Sequence, residues 1–242
     1  MQTLTSRDPL AVAVTEAIRG GDLRGLRQLL AEHPGLAGAR ITEQEEDGRG
    51  TRSLLHIATG WPGHFPRGPE VVAVLVAAGA DPRARFDGAH TETPLDWAAG
   101  SDDVPVLDAL VAAGADIEAP GAVIGGGTPL ADARGFGQWR AAHRLVELGA
   151  RVTLQDAATL GLLDRVRAYA EAGEPPSPDE ITGAFRGACH GGHLRTAQYL
   201  HRRGADVNRC GHDGMTPLDI ARAQDADDVV RRLRGLDARS AS

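Results

Sequence analysis

Lysine is absent from this chain of 242 residues; all 26 basic side chains are arginine. The absence removes two chemistries. A Schiff-base nucleophile needs lysine, and the phosphate-cradling loop of nucleotide hydrolases needs one after its glycines. The glycine run Gly125–Gly127 is therefore read as a flexible loop. Cysteine is scarce: Cys189 and Cys210 are too few for a disulfide framework, which suits a reducing compartment. No stretch approaches the roughly 18 consecutive apolar residues of a membrane span. The opening MQTLTSRDPL lacks the basic-then-apolar order of a secretory leader, so a cytoplasmic location is expected. A formal charge of −7 argues against nucleic acid as a partner, because phosphate contacts need clustered cations. The densest arginine runs, Arg202–Arg203 and Arg231–Arg234, fall where helix ends are expected, and cations favour the helix dipole there. Arginine-only usage with abundant alanine and glycine points to a high-GC bacterial genome.

What the chain does have is self-similarity. VAAGAD occurs at Val76–Asp81 and Val111–Asp116, followed by ELGAR at Glu147–Arg151 and RRGAD at Arg202–Asp206. Gly79, Gly114 and Gly149 are spaced 35 residues apart. TPL begins at Thr93, Thr128 and Thr216, and a degenerate copy, SLLHIAT, begins at Ser53. Each unit is physically legible. Thr-Pro opens a short alanine-rich helix, the hydroxyl capping and the proline occupying the first position. A glycine-containing turn follows. A second helix then carries apolar residues at helical spacing, such as Leu107, Leu110 and Val111, and a glycine ends it in a left-handed cap.

TPL, an Ala-Ala pair, a Gly-His turn, an apolar second helix and GAD, in several copies in register, together resemble ankyrin repeats. The resemblance covers nearly the whole chain. It implies an all-α fold, a solenoid of about six to seven stacked helix pairs with finger loops, whose concave face binds other proteins. On this pattern residues 1–242 form one domain. An N-terminal capping pair spans 8–40, and full repeats span 47–82, 87–118 and 121–151. A shortened repeat without a finger spans 152–173, a further repeat 178–208, and a C-terminal cap 211–238. Ser177, Pro178 and Glu180 read as a capping-box start for the 178–208 unit. Sheet is expected only in finger hairpins.

The stretch GACHGGHLRTAQYL looks at first like a metal or nucleophile site. In the repeat register Cys189 takes an Ala-Ala place, as a small buried residue, and His193 belongs to the inter-helix turn. Three or four convergent ligands at metal spacing are lacking, so no metal and no cofactor is expected.

Departures from the pattern mark candidate functional positions. The residue before each Ala-Ala pair runs Ile57, Trp97, Asp132, Asp156, Gly187, Ile220. Two adjacent copies thus place a carboxylate where an apolar residue is usual. Residues three and four further on share that face, among them Trp61, Ser101, Phe136 and His190. Gly100, Gly135 and Gly187 leave room beside them. A second departure is the long inter-helix segment GWPGHFPRGPE, Gly60–Glu70, which offers Trp61, His64 and Phe65 as contact groups. A third is the finger around His90 and Glu92. Asp96 stands there in the place of a histidine that usually bonds locally, so it is read as structural.

These positions suit a non-catalytic binding protein holding a protein or peptide partner, a basic or amine-bearing one in particular, since carboxylates beside aromatic rings attract cations. The alternative is a small-molecule-binding protein or enzyme, with Asp132 and Asp156 doing acid–base work alongside His64, His90 or His190. Against the alternative, the chain has no G-x-S-x-G, no H-E-x-x-H and no dinucleotide fingerprint.

Overall fold

A computed structural model describes residues 2–45, 48–236 and 238–241. Asp47, the expected start of the first full repeat, lies outside them, as do Met1 and Ser242. The chain divides into two compact units, Met1–Ala150 and Arg151–Ser242.

The first unit begins with strand β1 (Thr3–Thr5), helices α1 (Pro9–Gly20) and α2 (Leu23–Glu32), and strands β2 (Arg40–Glu45) and β3 (Gly48–Ser53). Three helix pairs follow: α3 (Leu54–Thr59) with α4 (Gly68–Ala77), α5 (Pro94–Gly100) with α6 (Val104–Ala112), and α7 (Pro129–Gly135) with α8 (Trp139–Glu147). The second unit holds α9 (Leu154–Thr159) with α10 (Leu163–Glu171), α11 (Pro178–His190) with α12 (Leu194–Arg202), and α13 (Pro217–Ala223) with α14 (Asp227–Arg234). Within each unit, first helices pack on first helices and second helices on second helices.

Local chemistry sets these boundaries. Thr93, Thr153, Ser177 and Thr216 each cap with the hydroxyl while an acid three residues on closes the capping box. Ser53 does the same with His56. Thr128 is the exception, with Ala131 at the matching place and no side-chain cap bond. Gly79, Gly114, Gly149 and Gly204 take φ between 95° and 100° or close to it (92° at Gly114), a conformation that a β-carbon disfavours. The core lies between the helix layers. Leu55, Leu75, Leu95, Leu107 and Leu130 are buried, and so are the alanine pairs Ala98–Ala99, Ala141–Ala142 and Ala157–Ala158, whose small side chains let neighbouring helices approach.

Sheet extends beyond a finger hairpin, contrary to expectation. β2 and β3 form the hairpin, but β1 adds a parallel third strand, Leu4 facing Ile41 in register. Parallel strands need a long crossover, and the α1–α2 pair supplies it. Leu4 and Ile41 are both buried, which rewards the pairing.

Candidate functional site

The face formed by the first helices of residues 1–150 carries most of the positions singled out in the sequence. The space expected beside the small residues is occupied. A β-carbon on Gly100 would sit 3.7 Å from the Phe136 ring, and one on Gly135 would meet Ile124 at 2.6 Å. Gly60 likewise faces the Trp97 ring at 3.6 Å. Gly60 and Gly100 therefore each receive an aromatic ring from the next repeat, and Gly135 receives Ile124 from the loop of its own repeat. In the second unit Gly187 is filled by Thr159, whose hydroxyl would lie 2.3 Å from an added β-carbon.

Trp97 is half-buried in an aromatic cluster. It meets His56 edge-on at 4.9 Å between ring centroids and Phe86 at 5.4 Å, and its indole N–H donates to the Glu92 carboxylate. Burial pushes the His56 imidazole down to about 3, so it is neutral, and its Nε2 lies 3.1 Å from the Glu92 carbonyl oxygen. Sequence reasoning missed Phe86 and His56. The signal was a histidine on the capping-box spacing and a phenylalanine in the finger, but their meeting depends on two fingers pairing through Thr51 and Asp87.

Three carboxylates gather at the base of this finger. Asp96 is almost wholly buried; Oδ2 accepts from the Thr93 amide at 2.6 Å and the Thr93 hydroxyl at 2.7 Å. Burial, with Asp132 and Glu92 nearby, pushes its carboxyl up to about 7. Glu92 and Asp132 are also raised, in each case chiefly by burial. Asp132 accepts from the backbone amides of Val123 at 3.1 Å and Ile124 at 2.7 Å, and His90 and Arg134 act on it electrostatically. Its carboxylate thus holds the Gly121–Gly127 loop. Arg140, on the second helix of the same repeat, lies 4.0 Å from Asp102.

The inter-helix segment is pinned at several points. It is shorter than the sequence suggests, because α4 already begins at Gly68. The His64 amide donates to Asp103 at 2.7 Å, and His64 Nε2 lies 2.9 Å from the Ser101 carbonyl oxygen. Asp103 also caps α6 through the Val106 amide. At the other end, Pro66 lies so close to Gly21 that a β-carbon there would fall 2.3 Å from its carbonyl oxygen. Phe65 lies under the Arg19 guanidinium, 5.7 Å from the ring centroid. Ser101 turns its hydroxyl to the Trp97 carbonyl within its own helix end. Trp61, by contrast, is 80% exposed, and Phe136 is 48% exposed.

Asp156 belongs to the second unit. Measured from the turn it takes the same slot as Trp97 and Asp132, but α9 starts one residue later, so it is also the capping-box residue. Its Oδ2 accepts from the Thr153 amide at 2.8 Å and the Thr153 hydroxyl at 2.6 Å. The apparent violation of the pattern is thus a shortened helix whose cap has moved into the slot. His190 is half-buried at the end of α11. Cys189 is buried and its thiol is pushed up to about 12, which leaves it an unreactive thiol. His193 precedes α12 and packs its ring on Gly161 and Gly191. Among the described residues no group of three or more His, Cys, Asp or Glu has the geometry to hold a metal ion. Nor is any helix among them long and apolar enough to cross a membrane.

Comparison with known proteins gives two matches to family models. Residues 90–122 match the model of the ankyrin repeat, and residues 188–233 match a model described as ankyrin repeats in many copies. No curated protein matches the chain.

Proposed function

The chain belongs to the ankyrin-repeat family, whose repeats in general mediate protein–protein interaction, and from this premise we propose that it is a non-catalytic binding protein. Its partner is a protein or peptide with cationic groups, docked on the first-helix face of residues 1–150. The observation that carries this reading is Trp61, 80% exposed on a segment whose neighbours are tied down on both sides. A tryptophan is costly to leave in water, and a rigidly presented one loses little entropy on binding. Tryptophan is also prominent among the residues that dominate interface energies. Charge supports a cationic partner. Residues 1–150 hold 20 acidic side chains against 13 arginines, whereas residues 151–242 hold 13 of each, so the whole net −7 falls in the first unit.

The acid–base alternative is the weaker reading. Asp132 is engaged by two backbone amides, Asp156 by Thr153 and His64 by Ser101 and Asp103. The test is affinity isolation of the tagged protein from its native host, wild type beside Trp61→Ala, with quantitative mass spectrometry. A protein recovered with the wild type and depleted several-fold with the variant is the expected result. Equal recovery overturns the part given to Trp61, and a retained small molecule in place of a protein overturns the reading itself.

A further inference from the structure

We propose that the groove between α2 and α4 is a binding site for a free carboxylate on an apolar chain, a medium-chain fatty acid. The site lies among the second helices of residues 1–150 and does not depend on the first-helix docking face. The groove encloses about 670 Å³, within the roughly 300–1,000 Å³ of small-ligand sites. Its walls are mostly apolar, Leu23 and Leu30 from α2 and Ala73, Val74 and Ala77 from α4. Such a lining with a few polar groups at one end is the usual make-up of a small-ligand site. Both helices have ten residues. That is about 15 Å of wall, the reach of an extended chain of about ten carbons.

The repeat itself shows that this lining is a departure. At the 35-residue spacing of Gly79, Gly114 and Gly149, Ala73 answers to Asp108 in α6 and His143 in α8, and Ala77 answers to Ala112 and Glu147. Between α6 and α8, Arg144 donates to Asp108 at 2.7 Å and to Glu147 at 2.9 Å, so an ion pair crosses that groove. The α2–α4 groove has alanine at both places. Its mouth is shaped by the extra inter-helix segment. Pro66 stands against Gly21, and Arg67 opens α4 at φ 56°, a left-handed conformation that a β-carbon disfavours.

Charge at this end selects the ligand. Arg27 and Arg67 line both the groove and an adjoining hollow, which Arg24 also lines. Against these guanidinium groups stand two carboxylates, Asp22 and Glu70. Asp22 is committed to the Arg24 and Gly25 amides as the cap of α2. Glu70 lies 3.8 Å from Arg67 with both side chains more than half exposed, a pair worth little in water. Among these lining residues the balance is one positive charge, placed at the end of an apolar trough. A guanidinium matches a carboxylate by paired hydrogen bonds. α4 has no side-chain cap bond at Arg67, so its positive end adds to the attraction. The carboxylate would sit at Arg27 and Arg67, with the chain along Ala73 and Ala77.

The experiment is calorimetric titration of the full-length protein with decanoate and, separately, with decan-1-ol and decylammonium, each below the concentration at which it aggregates. Saturable binding of one decanoate per chain is expected, with the other two probes weaker by about ten-fold or more. Arg27→Gln should weaken decanoate by about ten-fold and leave decan-1-ol unchanged, a split that a general loss of packing would not produce. Ala73→Asp, which copies α6, should abolish decanoate binding at an unchanged melting temperature. If that variant melts early, Ala77→Glu, which copies α8, takes its place. The absence of saturable decanoate binding overturns the proposal, and so does equal binding of the three probes. Decanoate binding indifferent to Arg27→Gln or to the groove variants puts the ligand elsewhere and overturns it as well.

Discussion

Single residues in this protein are judged by what their polar atoms already hold. Asp132 is buried and accepts from two backbone amides of a glycine-rich loop. Asp132→Leu, which restores the residue type usual for the slot, should therefore lower stability, by on the order of 1–3 kcal/mol for the loss of two part-buried hydrogen bonds to a carboxylate. A urea melt checks this; an unchanged or raised midpoint would mean that the carboxylate costs more than it contributes. Asp96 makes a pH prediction. Its folded carboxyl is raised to about 7, so the folded state binds a proton that the unfolded state releases near pH ~4. The penalty from this group grows between those values and is complete above about pH 7. His56 acts in the opposite sense, being neutral when folded with its imidazole at about 3, so its contribution is lost as pH falls below ~6.5. The two overlap in the wild type, and variants separate them. Relative to wild type, Asp96→Asn should gain stability as pH rises from 5 to 8, measured by urea midpoints at both. A constant difference between the two proteins would refute the assignment.

Among the elements, the eight residues from Gly60 to Arg67 between α3 and α4 behave as one piece because their contacts lie outside them. Asp103 is the shared anchor, holding the His64 amide and the first turn of α6 together. Asp103→Ala should both destabilise α6 and release the segment. Trypsin cleavage after Arg67 should then accelerate well beyond the general loss of stability seen by melting. Cleavage no faster than in the wild type would mean that Pro66 against Gly21 suffices to hold it. In the second unit α11 and α12 sustain the opposite expectation. Cys189 and the ring of His193 are packing groups, so Cys189→Ala should leave metal content and partner recovery unchanged. Stoichiometric zinc in the wild type that disappears in the variant would end that view.

Taken as a whole molecule, the protein combines stacked pairs with an uneven charge. Each first helix packs on the next within its unit, so stability is shared between neighbours in the manner of repeat proteins. The net negative charge of residues 1–150 gives a kinetic prediction. Association with a cationic partner should slow several-fold between 50 and about 300 mM salt, while dissociation changes little, because steering acts on encounter. Stopped-flow or surface-based kinetics measure it. An association rate indifferent to salt would assign recognition to the aromatic groups alone.

The amino-acid sequence by itself determined the repeat, the helix pairs and their ends. Those features rest on contacts within a few residues: Thr or Ser with an acid three positions on, a glycine at a left-handed cap, apolar residues on one helical stripe. They are therefore written in local spacing. It also marked the unusual positions, Trp61, Trp97, Asp132 and the Gly60–Glu70 segment. Only the tertiary structure decided what those positions do. Phe136 fills the space beside Gly100, Ile124 fills that beside Gly135, and His64 reaches Ser101 and Asp103 across 37 and 39 residues. β1 finds β2 across the whole first helix pair. Arg19 and Arg52 come together only because the hairpin folds against α1. Periodicity records which face a side chain occupies, but not which neighbour from a loop or from the next repeat arrives there or whether its polar atoms are already taken. That depends on the stacking of pairs, which local spacing does not encode.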